Sequence, residues 1–233
     1  MIAPEITPVY HGRISIRCYG SSNLKRILKG FDLQTICRKV VPSPQISVQV
    51  KASGNNSVRP PRLLRLIGEI GADVRRLDQY DGENSVYLII HIGYNRFSDR
   101  DISKEYYQHY LNFLRQLAAV FPPEKIVLYL PFIRGTGLDQ IQSQYSVVQS
   151  LHRTAFQLGY FVRSLFSLLP VPIEPTQDQI LKWYSSEKNS RGEVKAIHFS
   201  DTVKTTVRND LKAIFSGIVS EPPTRRRCTC KPL

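Results

Sequence analysis

An α/β fold, a three-layer α/β/α sandwich with a central parallel sheet, is the class the sequence predicts, and three observations carry the prediction. Short β-branched or aromatic runs alternate with longer stretches of helical apolar period, the pattern of a parallel sheet with crossover helices. One run, Ser85–Ile92, is nearly continuous in apolar residues (Val86, Leu88, Ile89, Ile90, Ile92), as a strand covered on both faces must be. The chain has 233 residues and 42% hydrophobic content, enough for one sizeable core.

The elements follow in order. A first strand, Ile14–Tyr19, leads into a helix over Asn23–Lys29, and a second strand, Ile46–Val50, into a helix over Arg62–Gly71. The third strand, Ser85–Ile92, is the central one. Its helix, Ser103–Val120, opens Ser103-x-Glu105, keeps Tyr107, Tyr110, Leu111, Leu114, Leu117 and Ala118 on a stripe, and stops at Phe121-Pro122-Pro123. A fourth strand, Lys125–Pro131, precedes a helix over Ser143–Leu158; a fifth, Tyr160–Leu165, comes before the last helix, Ser200–Phe215. Residues 1–216 form one domain. Residues 217–233, with Pro222-Pro223 and Arg225-Arg226-Arg227 and no apolar period, read as a flexible basic tail.

Composition excludes several classes. Apolar content is near the globular average and Pro and Gly are not in excess, so the chain is neither disordered nor fibrous. Apolar stretches such as Val86–Ile90 and Ile126–Leu130 fall far below the roughly 20 residues of a membrane span, and no membrane partner is expected. Met1–Val9 lacks a basic n-region and is interrupted by Pro4 and Pro8, so no secretory leader is visible and a cytoplasmic location is expected. Cys18, Cys37, Cys228 and Cys230 are too few and scattered for a disulfide framework, which predicts reduced thiols. The Cys228-x-Cys230 pair lacks a second pair at ligand spacing, so neither a metal nor another cofactor is expected.

The chain carries 32 Lys+Arg against 19 Asp+Glu, a formal charge of +13, and fixed positive charge gains free energy by releasing counterions from phosphates. The cations cluster. The first helix holds Lys25, Arg26 and Lys29; the second region holds Arg59, Arg62 and Arg65, then Arg75 and Arg76; the last helix places Lys204, Arg208 and Lys212 on one face. Each cluster alone also reads as a solvated helix face. Arginine suits bidentate phosphate contacts, and Tyr19, Tyr94 and Phe97, in or beside strand-end loops, suit stacking on unpaired bases. A polyanion is therefore the expected partner, and any nucleic-acid binding would run through a fold without an RRM, KH, zinc-finger or helix-turn-helix signature.

In an open parallel sheet, functional residues gather just past the carboxyl ends of the strands. Four such loops stand out: Gly20-Ser21-Ser22-Asn23, Ser53-Gly54-Asn55-Asn56, Gly93-Tyr94-Asn95-Arg96 and Ala196-Ile197-His198-Phe199-Ser200-Asp201. A serine, a glycine, an asparagine and a histidine in that order can supply a nucleophile, two oxyanion-hole donors and a base. Singly, Ser22 reads as a helix N-cap, Gly54 and Asn95 as turn residues and His198 as a packed histidine.

The order of these blocks resembles the SGNH (GDSL-type) hydrolase superfamily, from Ile14 to about Phe215. The resemblance implies Ser22 as nucleophile, His198 as base, and an oxyanion hole from the backbone at Ser22, Gly54 and the Asn95 side chain. Two departures matter: Ser21 stands where the first block has aspartate, and Lys195 stands where the last block has the aspartate that orients the histidine. Loss of such an acid costs about 10⁴-fold in rate in serine-protease triads, and a lysine beside His198 opposes its protonation. Arg96 also replaces the aspartate that ends the third block.

A rim changed from carboxylates to cations suits anion binding. A basic, degenerate hydrolase of this kind is similar to the OSK domain of the insect germ-plasm protein Oskar. That resemblance implies a cytoplasmic pseudoenzyme with no catalytic residues, in which Ser22, Gly54, Asn95 and His198 are vestigial. It would bind mRNA in germ-plasm ribonucleoprotein granules, with granule proteins as partners. Its RNA contacts are expected at Lys25, Arg26, Arg59, Arg62, Arg65, Arg75, Arg76, Arg96, Lys195, Lys204, Arg208 and Lys212. The alternative is an active serine esterase, of the kind some retroelements carry, using Ser22 and His198.

Overall fold

Strands that are apolar on both faces need helices above and below, and the computed structural model has that arrangement. It describes residues 13–35, 46–52, 60–78, 84–92, 104–131, 133, 138–169, 176–185 and 198–220. The strands are β1 (Arg13–Gly20), β2 (Ile46–Ala52), β3 (Asn84–His91), β4 (Ile126–Tyr129) and β5 (Phe161–Arg163). The helices are α1 (Ser22–Leu28), α2 (Pro60–Asp78), α3 (Lys104–Val120), α4 (Leu138–Gln157), α5 (Leu165–Leu168), α6 (Gln177–Leu181) and α7 (Asp201–Ser220).

The sheet is parallel throughout, in the order β2-β1-β3-β4-β5, with β3 central as expected. Period-two alternation sends Ile14, Ile16 and Cys18 of β1, and Tyr87 and Ile89 of β3, to the face covered by α1, α6 and α7. Tyr19, Val86, Leu88 and Ile90 go to the opposite face, against α2, α3 and the later turns of α4. The chain steps from β1 out to β2, then passes back over β1 to β3. Strand order thus reverses between β1 and β3, where ligands bind in open α/β sheets. Gly20 and His91, at the carboxyl ends of these two strands, are register partners.

Several boundaries differ from the sequence reading. Helix α2 continues to Asp78 because Gly68 and Gly71 keep negative φ and lie within it; its prolines, Pro60 and Pro61, fall in the first turn, where a missing N–H is harmless. Helix α4 starts at Leu138, five residues before the expected Ser143. It ends in a left-handed Gly159 (φ +89°), with Tyr160 N–H donating to Ala155 O (3.1 Å) and Gly159 N–H to Phe156 O (3.0 Å), a Schellman stop. Helix α7 runs to Ser220, past the expected end at Phe215. The short α5 and α6 were not anticipated. Among the described residues no helix is long and apolar enough to cross a membrane.

Candidate functional site at the strand-order reversal

The turn after β1 is built around a missing side chain. A Cβ on Gly20 would lie 2.7 Å from both His91 O and Leu24 Cδ2, so only glycine lets the backbone pass this close to the end of β3. Ser21 follows at the N-cap position of α1, in extended backbone, but its side chain does not cap the helix. It turns instead to β3: Ser21 N–H donates to His91 O (2.9 Å), and Ser21 Oγ shares a 2.9 Å hydrogen bond with His91 Nδ1. The N-cap alternative for Ser22 is thereby corrected by one position, since Ser22 is the first helical residue and is half-buried.

His91 is 1% exposed. Desolvation lowers its pKa to about 4, so the imidazole is neutral at physiological pH. The Phe199 ring meets it edge-on, with centroids 5.9 Å apart. Just before Phe199 lies His198, half-buried. Its segment is fixed on two sides: Phe199 N–H donates to Asn23 Oδ1 (3.3 Å), while Ser185 N–H donates to His198 O (2.8 Å) and Ser200 N–H to Trp183 O (2.9 Å). Ser22 and His198 therefore each adjoin a residue of the Asn23–Phe199 hydrogen bond, at the carboxyl edge of the sheet. Gly54, Asn95, Arg96 and Lys195 lie outside the described residues, as do Arg59, Tyr94, Phe97 and the tail arginines Arg225–Arg227.

The other expected contacts divide between two layers. On one, α1 and α7 lie side by side and expose Lys25, Arg26, Lys29 and Lys212. Lys204 pairs with Asp201 (2.7 Å). Arg208 spans the two helices, donating from Nε to Ile27 O (2.7 Å) and from Nη2 to Lys29 O (2.8 Å). On the other layer, Arg62, Arg65, Arg75 and Arg76 are exposed along α2, and Arg65 meets Glu69 at 3.1 Å. Tyr19 is corrected as a stacking residue: it is fully buried, and its hydroxyl donates to Asp73, which also pairs with Lys51 at 2.6 Å. Cys18 is buried too, and burial pushes its thiol up to about 12, which keeps it protonated and unreactive. Among the described residues no three His, Cys, Asp or Glu side chains group to hold a metal.

The Ser21–His91 pair escaped the sequence reading. Its signal was a titratable residue closing an otherwise apolar central strand, in register with a glycine on the neighbouring strand.

No family model matches the chain, and no curated protein matches it. Solved structures do. The chain is similar to the lipase/acylhydrolase from Enterococcus faecalis, at 16% identity and a TM-score of 0.52, over 88% of this chain and 96% of that one. It is similar to TesA at 11% identity and a TM-score of 0.52, over 88% and 99% of the two chains. A further match is AlinE4, an SGNH-hydrolase family esterase, at 19% identity, a TM-score of 0.45, and 87% and 97% coverage. With its five-stranded parallel sheet between helical layers, the chain has the fold of the SGNH hydrolases.

Proposed function

We propose that this protein is a non-enzymatic RNA-binding module on a hydrolase-like fold. The observation that carries the reading is the charge of the α1–α7 layer. Lys25, Arg26, Lys29 and Lys212 are exposed there and α1 contains no acid. Of the two acids on α7, Asp210 is drawn inward to Arg163 and Tyr129, and Asp201 is engaged by Lys204. A surface of this kind attracts phosphates through counterion release. The site at the strand-order reversal agrees: where the family carries its first-block aspartate, Ser21 is closed into an uncharged pair with His91. At the orienting position stands Lys195. The similarity to the OSK domain extends the proposal to mRNA and to cytoplasmic, germ-plasm-type ribonucleoprotein assembly with granule proteins.

One observation favours the esterase reading. The Asn23–Phe199 hydrogen bond holds the His198 segment beside the turn that bears Ser22, the arrangement a serine nucleophile and its base need. Fluorescence anisotropy with single-stranded RNA at two salt concentrations, with a short-chain aryl ester assay on the same preparation, separates the two. Binding that falls steeply with salt, without turnover, is the expected result; absent or salt-insensitive binding overturns it. Turnover lost in Ser22→Ala would make the protein an esterase.

A further inference from the structure

The layer that bears α7 ends at the sheet edge formed by β5. Along this strand Val162 is buried against the α4 side, so Phe161 and Arg163 share the other face, the one covered by α7. Arg163 Nε donates to both carboxylate oxygens of Asp210 (3.0 and 3.2 Å), and the Tyr129 hydroxyl donates to the same carboxylate (2.7 Å). Held this way, the Arg163 guanidinium lies over the Phe161 ring, with Cζ 4.2 Å from its centroid. Phe161 is nonetheless 40% exposed, on the outermost strand of the sheet. On the far flank of α7, Arg208 stands over Phe31 in a looser version of the same pairing, at 5.9 Å. The solvent-facing ridge Thr205, Asn209 and Lys212 runs between the two pairs.

We propose that Phe161, backed by Arg163, is a stacking platform for an unpaired base of an RNA strand whose phosphates lie along α7 and α1. The inference rests on the RNA-binding reading and specifies its ligand as single-stranded. Three physical features recommend the platform. The aromatic face is large and its ordering is already accomplished by the Asp210–Arg163 contact, so little rotamer freedom is lost on binding. The guanidinium adds cation–π attraction and a second planar surface. Lys212, exposed on α7, supplies the phosphate contact that stacking alone lacks, and such combinations bind single strands without reading sequence. A duplex keeps its bases stacked on one another and gains nothing from the ring.

The test compares anisotropy titrations of a single-stranded RNA of about 12 nucleotides and its duplex against the full chain, Phe161→Ala and Phe161→Trp. Phe161→Ala is expected to weaken single-strand binding about tenfold, leaving the salt slope and duplex binding unchanged. Phe161→Trp is expected to retain affinity and show quenched emission on adding RNA, after subtracting the one native tryptophan, Trp183. Unchanged single-strand affinity in Phe161→Ala overturns the platform and leaves the RNA-binding reading standing. A change in sedimentation without a change in RNA affinity also overturns it, assigning the edge to a second copy of the chain. A wild-type chain that binds no RNA overturns both readings.

Discussion

His91 sits at the end of the central strand with an ordinary histidine pKa near 6.5 lowered to about 4 by desolvation. Below pH 6.5 the unfolded chain takes up a proton that the folded chain refuses until about pH 4. Stability is therefore full above pH 6.5 and declines as pH falls toward 4, by about 3 kcal/mol for this group. Urea midpoints at pH 7 and pH 5 should show the decline, and the double variant Ser21→Ala, His91→Leu, which removes both partners of the pair together, should flatten it. Gly20 makes a second prediction: its missing Cβ would meet the His91 carbonyl, a backbone atom that cannot swing away. Gly20→Ala should cost about 1–3 kcal/mol by overpacking, read as a lower thermal midpoint. Ser22 and His198 could be singled out in the sequence because they adjoin strand-end turns, and the structure places each next to a partner of the Asn23–Phe199 hydrogen bond. His91 could not be, because its partner Ser21 is distant in sequence and only strand register joins them.

Arg208 works at the scale of elements. Its guanidinium donates to the Ile27 and Lys29 carbonyls at the end of α1, groups with no partner inside that short helix, and so joins α1 to α7. Arg208→Ala should destabilise the protein by about 1–2 kcal/mol. Arg208→Lys should recover only part of this, since one ammonium cannot match a planar fork aimed at two carbonyls; thermal melts of the three proteins would check the order. The sequence shows Arg208 only as a member of an i, i+4, i+8 row, and periodicity cannot say which cation of a row faces a neighbouring helix. The four long helices, α2, α3, α4 and α7, were legible from their apolar stripes. Helix α6 was missed because five residues are too few for a stripe, although Thr176-x-x-Gln179 spells the capping box that the structure forms. Helix α2 continues past the expected end at Gly71 because Val74 and Leu77 pack against the same core as Leu63, Leu66 and Ile70, and that packing outweighs the low helix propensity of glycine.

For the whole molecule, the fold was the most legible level, since the alternation of strand and helix periods prescribes a parallel sheet and the continuous apolar run prescribes its centre. Which cations share a surface was not legible, because it depends on which side of the sheet each crossover takes. The structure separates α1 and α7 from α2, and that separation is testable. Replacing Lys25, Arg26 and Lys212 together by glutamate should reduce the logarithmic salt slope of single-strand binding by at least about 2, given about 0.7 per phosphate contact. Replacing Arg62 and Arg65 by glutamate should weaken binding less, as they face away from that surface. Equal losses from the two sets would mean that the strand wraps both layers or is held by charge alone.

The bridge between Tyr184 and Phe199, with its flanking Ser185–His198 and Ser200–Trp183 hydrogen bonds, ties together the two ends of the stretch 186–197. Lengthening a closed loop adds little entropy, only about 0.6 kcal/mol per doubling, so insertions, deletions or wholesale exchange in this stretch should leave His198 where it is. Lys195, which stands in sequence where the SGNH pattern has its orienting aspartate, belongs to this stretch. The anchoring of His198 thus rests on residues outside the stretch that carries Lys195, so a change of charge at position 195 should leave the histidine's backbone tether intact.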